Sequence, residues 1–431
     1  SQSEISSGKD GIQMVKTGYK QTEIGILPDA WDTITFENCF TILPNNTLSR
    51  AELNYNSGEV QNIHYGDILV KFPAVLDCSA EGLPYINAEN TTKDSEGFLR
   101  DGDLIVADTA EDVIVGKSTE VIGIGERKIV SGLHTIPCRP KDAEMFAPGW
   151  LGYFINHSTY HDQLVPYITG IKVSSISKSA ISGTVIAVPK KEEQTEITAA
   201  LSDIDALIAN LEKLIAKKKD IKQGAMQELL TGKRRLPGFE GEWVGIEIGQ
   251  NGYLLRESIN PQEHTSTLFC EYSMPAFDDR RIPVKKHGSD MHSNRTVIYG
   301  TVLLFNKLNV RQKRIWLVNA IESNSVCSSE FLAYCSDTLD LRLMAQLLST
   351  EKITNDFIGM STGTSNSQKR ITPNNFLEYS VYVPKDINEQ SAIADILGDM
   401  DSGIAALEEK ISKVKLLKSG MMSELLTGRI R

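Results

Sequence analysis

The sequence predicts an α+β chain: two β-rich domains related by a pseudo-two-fold, separated by two long helices that pair as an antiparallel coiled coil. Three observations carry this prediction. A 39-residue segment, Gln194–Gly232, recurs as Gln390–Gly428 at a constant offset of 196 residues, with 20 of 39 positions identical and no gap. Both copies space their apolar residues in the alternating four-three rhythm of a coiled-coil seam. Each copy follows roughly 140–165 residues of short β-branched runs punctuated by Gly, Asn and Asp turns.

Taken in order, residues 1–18 form a polar N-terminal segment expected to be partly disordered. It lacks the apolar core of a secretory signal. Residues 19–189 form the first β-rich domain, with strand-like runs at Asp67–Phe72 and Asp103–Ala107 and a helical stretch at Trp150–Asn156. Residues 190–232 form the first long helix, with Ile197, Leu201, Ile204, Ile208, Leu211 and Ile215 on its seam. The frame then meets Lys218 and Lys222, so Leu214 and Ile221 are expected to take over the buried stripe through a local register change. Residues 233–384 form the second domain, with strands at Thr301–Phe305 and Ile315–Val318 and a helix at Leu341–Leu348. Residues 385–431 form the second helix, whose seam is Ile393, Leu397, Met400, Ile404, Leu407 and Ile411. Each strand-rich run closes on Val-Pro (Val188-Pro189, Val383-Pro384), because proline cannot donate to a ladder. Gly232 and Gly428 are natural helix stops. Both domains begin with Leu-Pro shortly before Trp31 or Trp243, and both carry a late Thr-Gly loop, at Thr169-Gly170 and Thr362-Gly363. The first helix ends LLTGKRR and runs into the second domain. The second ends LLTGRIR, so the first domain would follow it naturally, as in a two-fold ring opened once.

The chain has 431 residues and a formal net charge of −11, unevenly spread. Residues 20–187 carry 12 basic and 22 acidic side chains, whereas residues 244–378 carry 14 of each. A role on DNA therefore needs local basic patches or a partner that supplies positive charge. The six cysteines make no C-x-x-C pair, which points to free thiols in a reducing cytoplasm rather than a metal site. No apolar run approaches the ~20 residues of a membrane span. The chain has no adenine-methyltransferase motif of the [DNS]-P-P-[YF] kind, no phosphate-binding loop and no H-E-x-x-H.

Two similar domains on a two-fold suit a divided DNA site, since half-site spacing mirrors protein symmetry. The pattern VPKKEEQTEI…LEKLIAKKKDIKQGAMQELLTG, its second copy and the lead-in TEIGILPDAW resemble type I restriction–modification specificity subunits. DGDLIVADTAEDVIVGK (Asp101–Lys117) is similar to a segment of their target-recognition domains. The resemblance implies a non-catalytic chain that binds a split double-stranded DNA sequence, one half per recognition domain. It implies two methyltransferase subunits docked on the helices and restriction/motor subunits joined through them, with S-adenosylmethionine and ATP on those partners. A non-DNA-binding adaptor with a coiled-coil hinge is the alternative reading of the acidic balance.

Arginine suits guanine edges and lysine suits phosphates. Candidate DNA contacts in the second domain are therefore Arg280, Arg281, Lys285, Lys286, His287, Arg295, Arg311, Lys313, Arg314, Lys369 and Arg370, with Asn306, Asn366 and Gln368 as adenine readers. In the first domain they are Lys71, Lys117, Lys172 and Lys178, with Ser174 and Ser175 as phosphate donors. Lys217–Lys219 and Lys222 could meet DNA along the helix. Trp31 and Trp243 are expected in the core.

Overall fold

The computed structural model describes residues 16–90, 96–111, 114–170, 172–320, 322–363 and 368–430. The expectation for the first segment falls, for residues 1–15, outside the described residues. The chain forms two compact units: Ser1–Asn210 with Ile411–Arg431, and Leu211–Lys410. Each unit contains one β-rich domain and portions of two 39-residue helices.

In the first unit, strand Asp32–Thr35 follows Trp31 and pairs antiparallel with Val185–Val188, closing the domain where the chain leaves it. Between them lie a five-stranded sheet, centred on Leu104–Ala107 and flanked by Thr135–Pro140 and Ser118–Ile122, and a four-stranded sheet built on Val60–Ile63. Trp31 and Trp150 meet edge to face at 5.8 Å in the core, and both are fully buried. Helix α1 (Trp150–Ile155) buries every residue, and its Trp150 Nε1 donates to Ala187 O at 3.2 Å. The Asp67–Phe72 expectation is corrected: Tyr65–Val70 is helical. His64 Nδ1 accepts from Gly66 N at 3.1 Å, and Asp67 in the first turn accepts twice from Arg50 at 2.9 Å. This capping outweighs the β propensity of an Ile-Leu-Val run, and Val70 is left 85% exposed.

Helix α2 (Lys191–Leu229) leaves the first domain. The second domain repeats the plan. Strand Trp243–Glu247 pairs antiparallel with Ser380–Pro384, and Gly300–Asn306 is central between Ile315–Ala320 and Phe331–Cys335. Helix α3 (Leu341–Leu348) is capped by Asp340 and buries Leu341, Leu343, Met344, Leu347 and Leu348. Helix α4 (Ile387–Leu425) follows.

Within the second unit α2 and α4 run antiparallel: Lys219 meets Glu408 at 2.7 Å and Lys222 meets Asp401 at 2.6 Å. In the first unit Lys418 meets Asp205 at 2.6 Å. Ile197, Leu201, Leu211, Ile215, Ile393, Leu397, Ile404 and Ile411 are buried, and Ile204, Ile208, Met400 and Leu407 are half-buried. The expected register change does not occur. Leu214 and Ile221 stay 39% and 52% exposed. Lys222 instead holds its seam position, because Asp401 neutralises the ammonium there, and Ala225, Met226 and Leu229 carry the stripe onward.

Each helix start is stapled to its domain by a buried glutamine. Gln194 accepts from Ala147 N at 2.8 Å and donates to Pro189 O at 2.8 Å. Gln390 accepts from Asp340 N at 3.0 Å and donates to Pro384 O at 2.8 Å. The helix ends dock equivalently. Gly232 lies against Trp243, and Gly428 lies against Pro28 and Trp31. Leu426 is fully buried in the first domain's core, and Tyr19 Oη donates to Gly428 O at 3.0 Å.

Candidate nucleic-acid interface

At one end of each central sheet three loops meet. In the second domain the loop after Gly300–Asn306 bridges the late loop at Leu308 and Arg370, and Thr362 bridges Arg370. Asn309 N donates to Lys369 O at 2.8 Å, and Lys307 N donates to Glu330 O at 3.0 Å. Two basic stretches some 60 residues apart in sequence thus converge: Lys307, Arg311 and Lys313 with Lys369 and Arg370. Asn309 and Lys313 both adopt the left-handed conformation (φ 51 and 48), on either side of the turn that lifts Arg311 into solvent. In the first domain Thr109 and Ala110 pair with Ser175 and Ser174, Thr169 bridges Ser175, and Asp108 N donates to His134 O at 3.1 Å. The Thr-Gly motif has the same physical cause in both domains. Gly170 (φ +112) and Gly363 (φ +149) turn where a Cβ would lie 1.9 Å from Val173 O or 2.9 Å from Gln368 O.

Several sequence candidates are engaged elsewhere. Lys71 pairs with Glu81 and stacks over Phe72. Lys117 is half-buried and donates to Leu69 O at 2.8 Å, and burial holds its ammonium below the usual lysine range. Lys286 and Arg295 both serve Glu271, which is 1% exposed, at 2.8 and 2.7 Å. Lys285 meets Glu322 at 2.8 Å, Lys313 meets Glu351, Arg314 grips Asp278 through two bonds of 2.8 and 2.7 Å, and Arg370 grips Glu330 through two of 3.1 Å. Lysines and arginines adjacent in sequence are thus satisfied by carboxylates from other elements. Asn306 is 3% exposed, and its Oδ1 accepts from Leu308 N at 2.8 Å, so it shapes the loop rather than facing outward. Asn366 lies outside the described residues. Gln368 is exposed.

Among the described residues, Arg311 and Lys369 at the loop cluster have no carboxylate partner. Arg280 is 3.9 Å from Asp279, and Arg281 stacks over Phe277 at 4.5 Å. The Arg314–Asp278 pair ties this second pair of arginines to the same loops. His287 is exposed on the strand edge, and Lys217 and Lys218 are exposed on α2. In the first domain Lys172 and Lys178 are exposed, while Ser174 and Ser175 are half-buried in their ladder. Sequence reasoning missed His134 (φ 54), which lies 3.4 Å from Asp108, 3.2 Å from Thr109 Oγ1, and edge-on to Tyr65. It also missed Lys307. A lone histidine after a turn gives no sequence signal; Lys307 beside Asn306 could have been found by extending the basic cluster backward.

All six cysteines are free and buried. Among the described residues no group of His, Cys, Asp and Glu is arranged to hold a metal, and no helix is long and apolar enough to cross a membrane.

Residues 53–222, spanning most of the first domain and α2, match the family described as type I restriction modification DNA specificity domain. Over most of its length the chain is also similar to type I restriction–modification specificity subunits. It is 22% identical to the putative type I restriction enzyme MjaX specificity subunit of Methanocaldococcus jannaschii, over 96% of each chain. It is 24% identical to that organism's type I restriction enzyme MjaVIII specificity subunit, over 84% of this chain and 89% of the other. The fold of this chain matches that of the type I S subunit from M. genitalium (TM-score 0.58, 12% identity, 92% and 96% covered). It also matches a chain from a structure on complex assembly and conformational transition of the type I R-M system (TM-score 0.54, 15% identity, 94% and 99% covered).

Proposed function

We propose that this chain is a type I restriction–modification specificity subunit that binds a bipartite double-stranded DNA sequence, each three-loop cluster reading one half-site, and performs no chemistry of its own. The observation that carries the reading is the duplication of one loop cluster on two domains, each stapled by the same glutamine to one of two repeated helices. The second cluster offers Arg311 and Lys369, with Arg280 and Arg281 beside it, for phosphates and guanine edges. The first offers Lys172, Lys178, Tyr65 and His134 among acidic neighbours. The two half-sites therefore differ in sequence, and the first needs positive charge from a partner.

Two methyltransferase subunits, carrying S-adenosylmethionine, dock on the helices, and restriction/motor subunits using ATP join through them in the cytoplasm. Ile221 and Leu417 support this docking. They occupy the same repeat position, and both remain more than half exposed, at 52% and 55%. Methylome sequencing of cells with and without this gene tests the reading. A split adenine-methylation motif disappears on deletion, and exchanging residues 236–380 alters one half of it alone. An unchanged methylome would leave the adaptor reading in place.

A further inference from the structure

Each domain touches its helix at a second point, and that point is polar although it lies on an apolar seam. In the first unit Asp205 of α2 accepts from Tyr153 Oη of α1 at 2.9 Å and pairs with Lys418 of α4 at 2.6 Å. Lys418 also lies over the Tyr153 ring at 5.5 Å. In the second unit Asp401 of α4 accepts from Gln346 Nε2 of α3 at 2.7 Å and from Lys222 of α2 at 2.6 Å. The repeat offset of 196 carries Asp205 onto Asp401 and Lys222 onto Lys418, and all four positions are identical between copies. The domain-borne partner is not repeated: one domain supplies a tyrosine, the other an amide.

The spacing to the staple explains what such a node does. Gln194 to Asp205 and Gln390 to Asp401 are both eleven residues, three helical turns, so staple and node share one helix face about 16 Å apart. A domain held only at the glutamine can swing about it. A domain held at both points cannot, and because the aspartate also grips the lysine of the opposing helix, the domain is set against the helix pair rather than against one helix. An apolar seam residue would pack at least as stably as a lysine here, since buried ion pairs rarely outdo hydrophobic replacements. What the polar node adds is a defined geometry, the role best attested for a polar residue in a coiled-coil seam.

We infer that Asp205 and Asp401 are orientation keys: each fixes the angle at which a recognition domain is mounted on the helix pair, and so determines which half-site spacings are accepted. The last step rests on the bipartite-DNA reading; the mounting itself does not.

The test uses the full chain with cysteines replacing exposed Ser289 in the second domain and exposed Lys213 on α2. The six buried native thiols leave these two sites as the labelled ones. Spin-label distances are measured in the parent, in Gln346→Ala, and in Lys222→Leu/Asp401→Leu, which refills the seam and keeps its melting temperature. Both variants broaden the domain-to-helix distance distribution about twofold or more. Distributions as narrow as the parent's in both variants would overturn the proposal. With methyltransferase partners present, the double variant methylates targets whose gap is one base pair longer or shorter, which the parent rejects. If the parent methylates no split target, the DNA reading fails and the distance result stands alone. If distances broaden but gap tolerance is unchanged, the link to spacing is overturned.

Discussion

Replacing Arg295 with methionine separates a structural cation from a DNA-contacting one. Glu271 sits on strand Leu268–Tyr272 at 1% exposure. Arg295 Nε and Nη2 each approach its Oε1 at 2.7 Å, and Lys286 Nζ lies 2.8 Å from Oε2 as an ion pair outside hydrogen-bond angles. Burial pushes the carboxyl up, but Lys286 and Arg295 together hold it below the usual glutamate range. Methionine keeps the stem of Arg295 and deletes both short contacts. The charge then depends on Lys286, itself 41% exposed. Breaking a buried pair costs about 3–5 kcal/mol, and the surviving lysine places this case near 3. That is roughly 150-fold in the local opening equilibrium. Hydrogen exchange in peptides covering 268–272 and 325–328 reads it directly. Lys286→Met gives a smaller acceleration, about fivefold, for loss of one half-exposed contact worth about 1 kcal/mol. The reasoning is refuted if Arg295→Met leaves exchange within twofold of the parent. It is equally refuted if Lys286→Met weakens DNA binding while exchange stays unchanged, which would return Lys286 to the interface.

Arg311→Ala with Lys369→Ala leaves stability within about 0.5 kcal/mol, as expected of cations with no carboxylate partner among the described residues. The pair lowers the salt slope of DNA binding by the partnered complex by about two; an unchanged slope removes both residues from the interface. Glu120 gives the pH prediction. It is 1% exposed and accepts from Gly149 N and Gly152 N, at 2.7 and 2.9 Å. Burial raises its pKa to about 7, against the pull of those amides. A raised carboxyl means the folded state holds the proton more tightly. Its contribution is therefore fully present below the ordinary glutamate pKa and is lost as pH climbs toward 7, by roughly 3 kcal/mol in all. Glu120→Gln flattens that dependence, measured as exchange in 118–122 between pH 4.5 and 7.5; a dependence that persists in the variant assigns it elsewhere.

The repeat and its helices were legible because a periodic apolar seam is written directly in residue spacing. Seam positions Ile197 through Ile411 are buried or half-buried. Lys222 was misread because a cation on a seam looks like a break until its partner, 179 positions away, is known. The same blindness hides the partners of much of the candidate interface. Lys285, Lys286, Lys313, Arg314 and Arg370 form basic clusters in sequence, yet Glu322, Glu271, Glu351, Asp278 and Glu330 reach them from separate elements. Pairing across a sheet is set by topology, which a linear pattern does not encode. The Tyr65–Val70 helix escaped detection for a related reason: its stabilising contact, Arg50 to Asp67, comes from outside the segment.

The burial of Leu426 beside Trp31 has a consequence for synthesis. The second unit is one uninterrupted stretch, Leu211–Lys410, whereas the first needs Ile411–Arg431 to be finished. On the ribosome the later-made unit therefore completes first, while the earlier one waits with the Leu27–Trp31 surface uncovered until the final turns emerge. Loss of Leu426 and the turn around it would damage the part of the protein translated some 400 residues earlier.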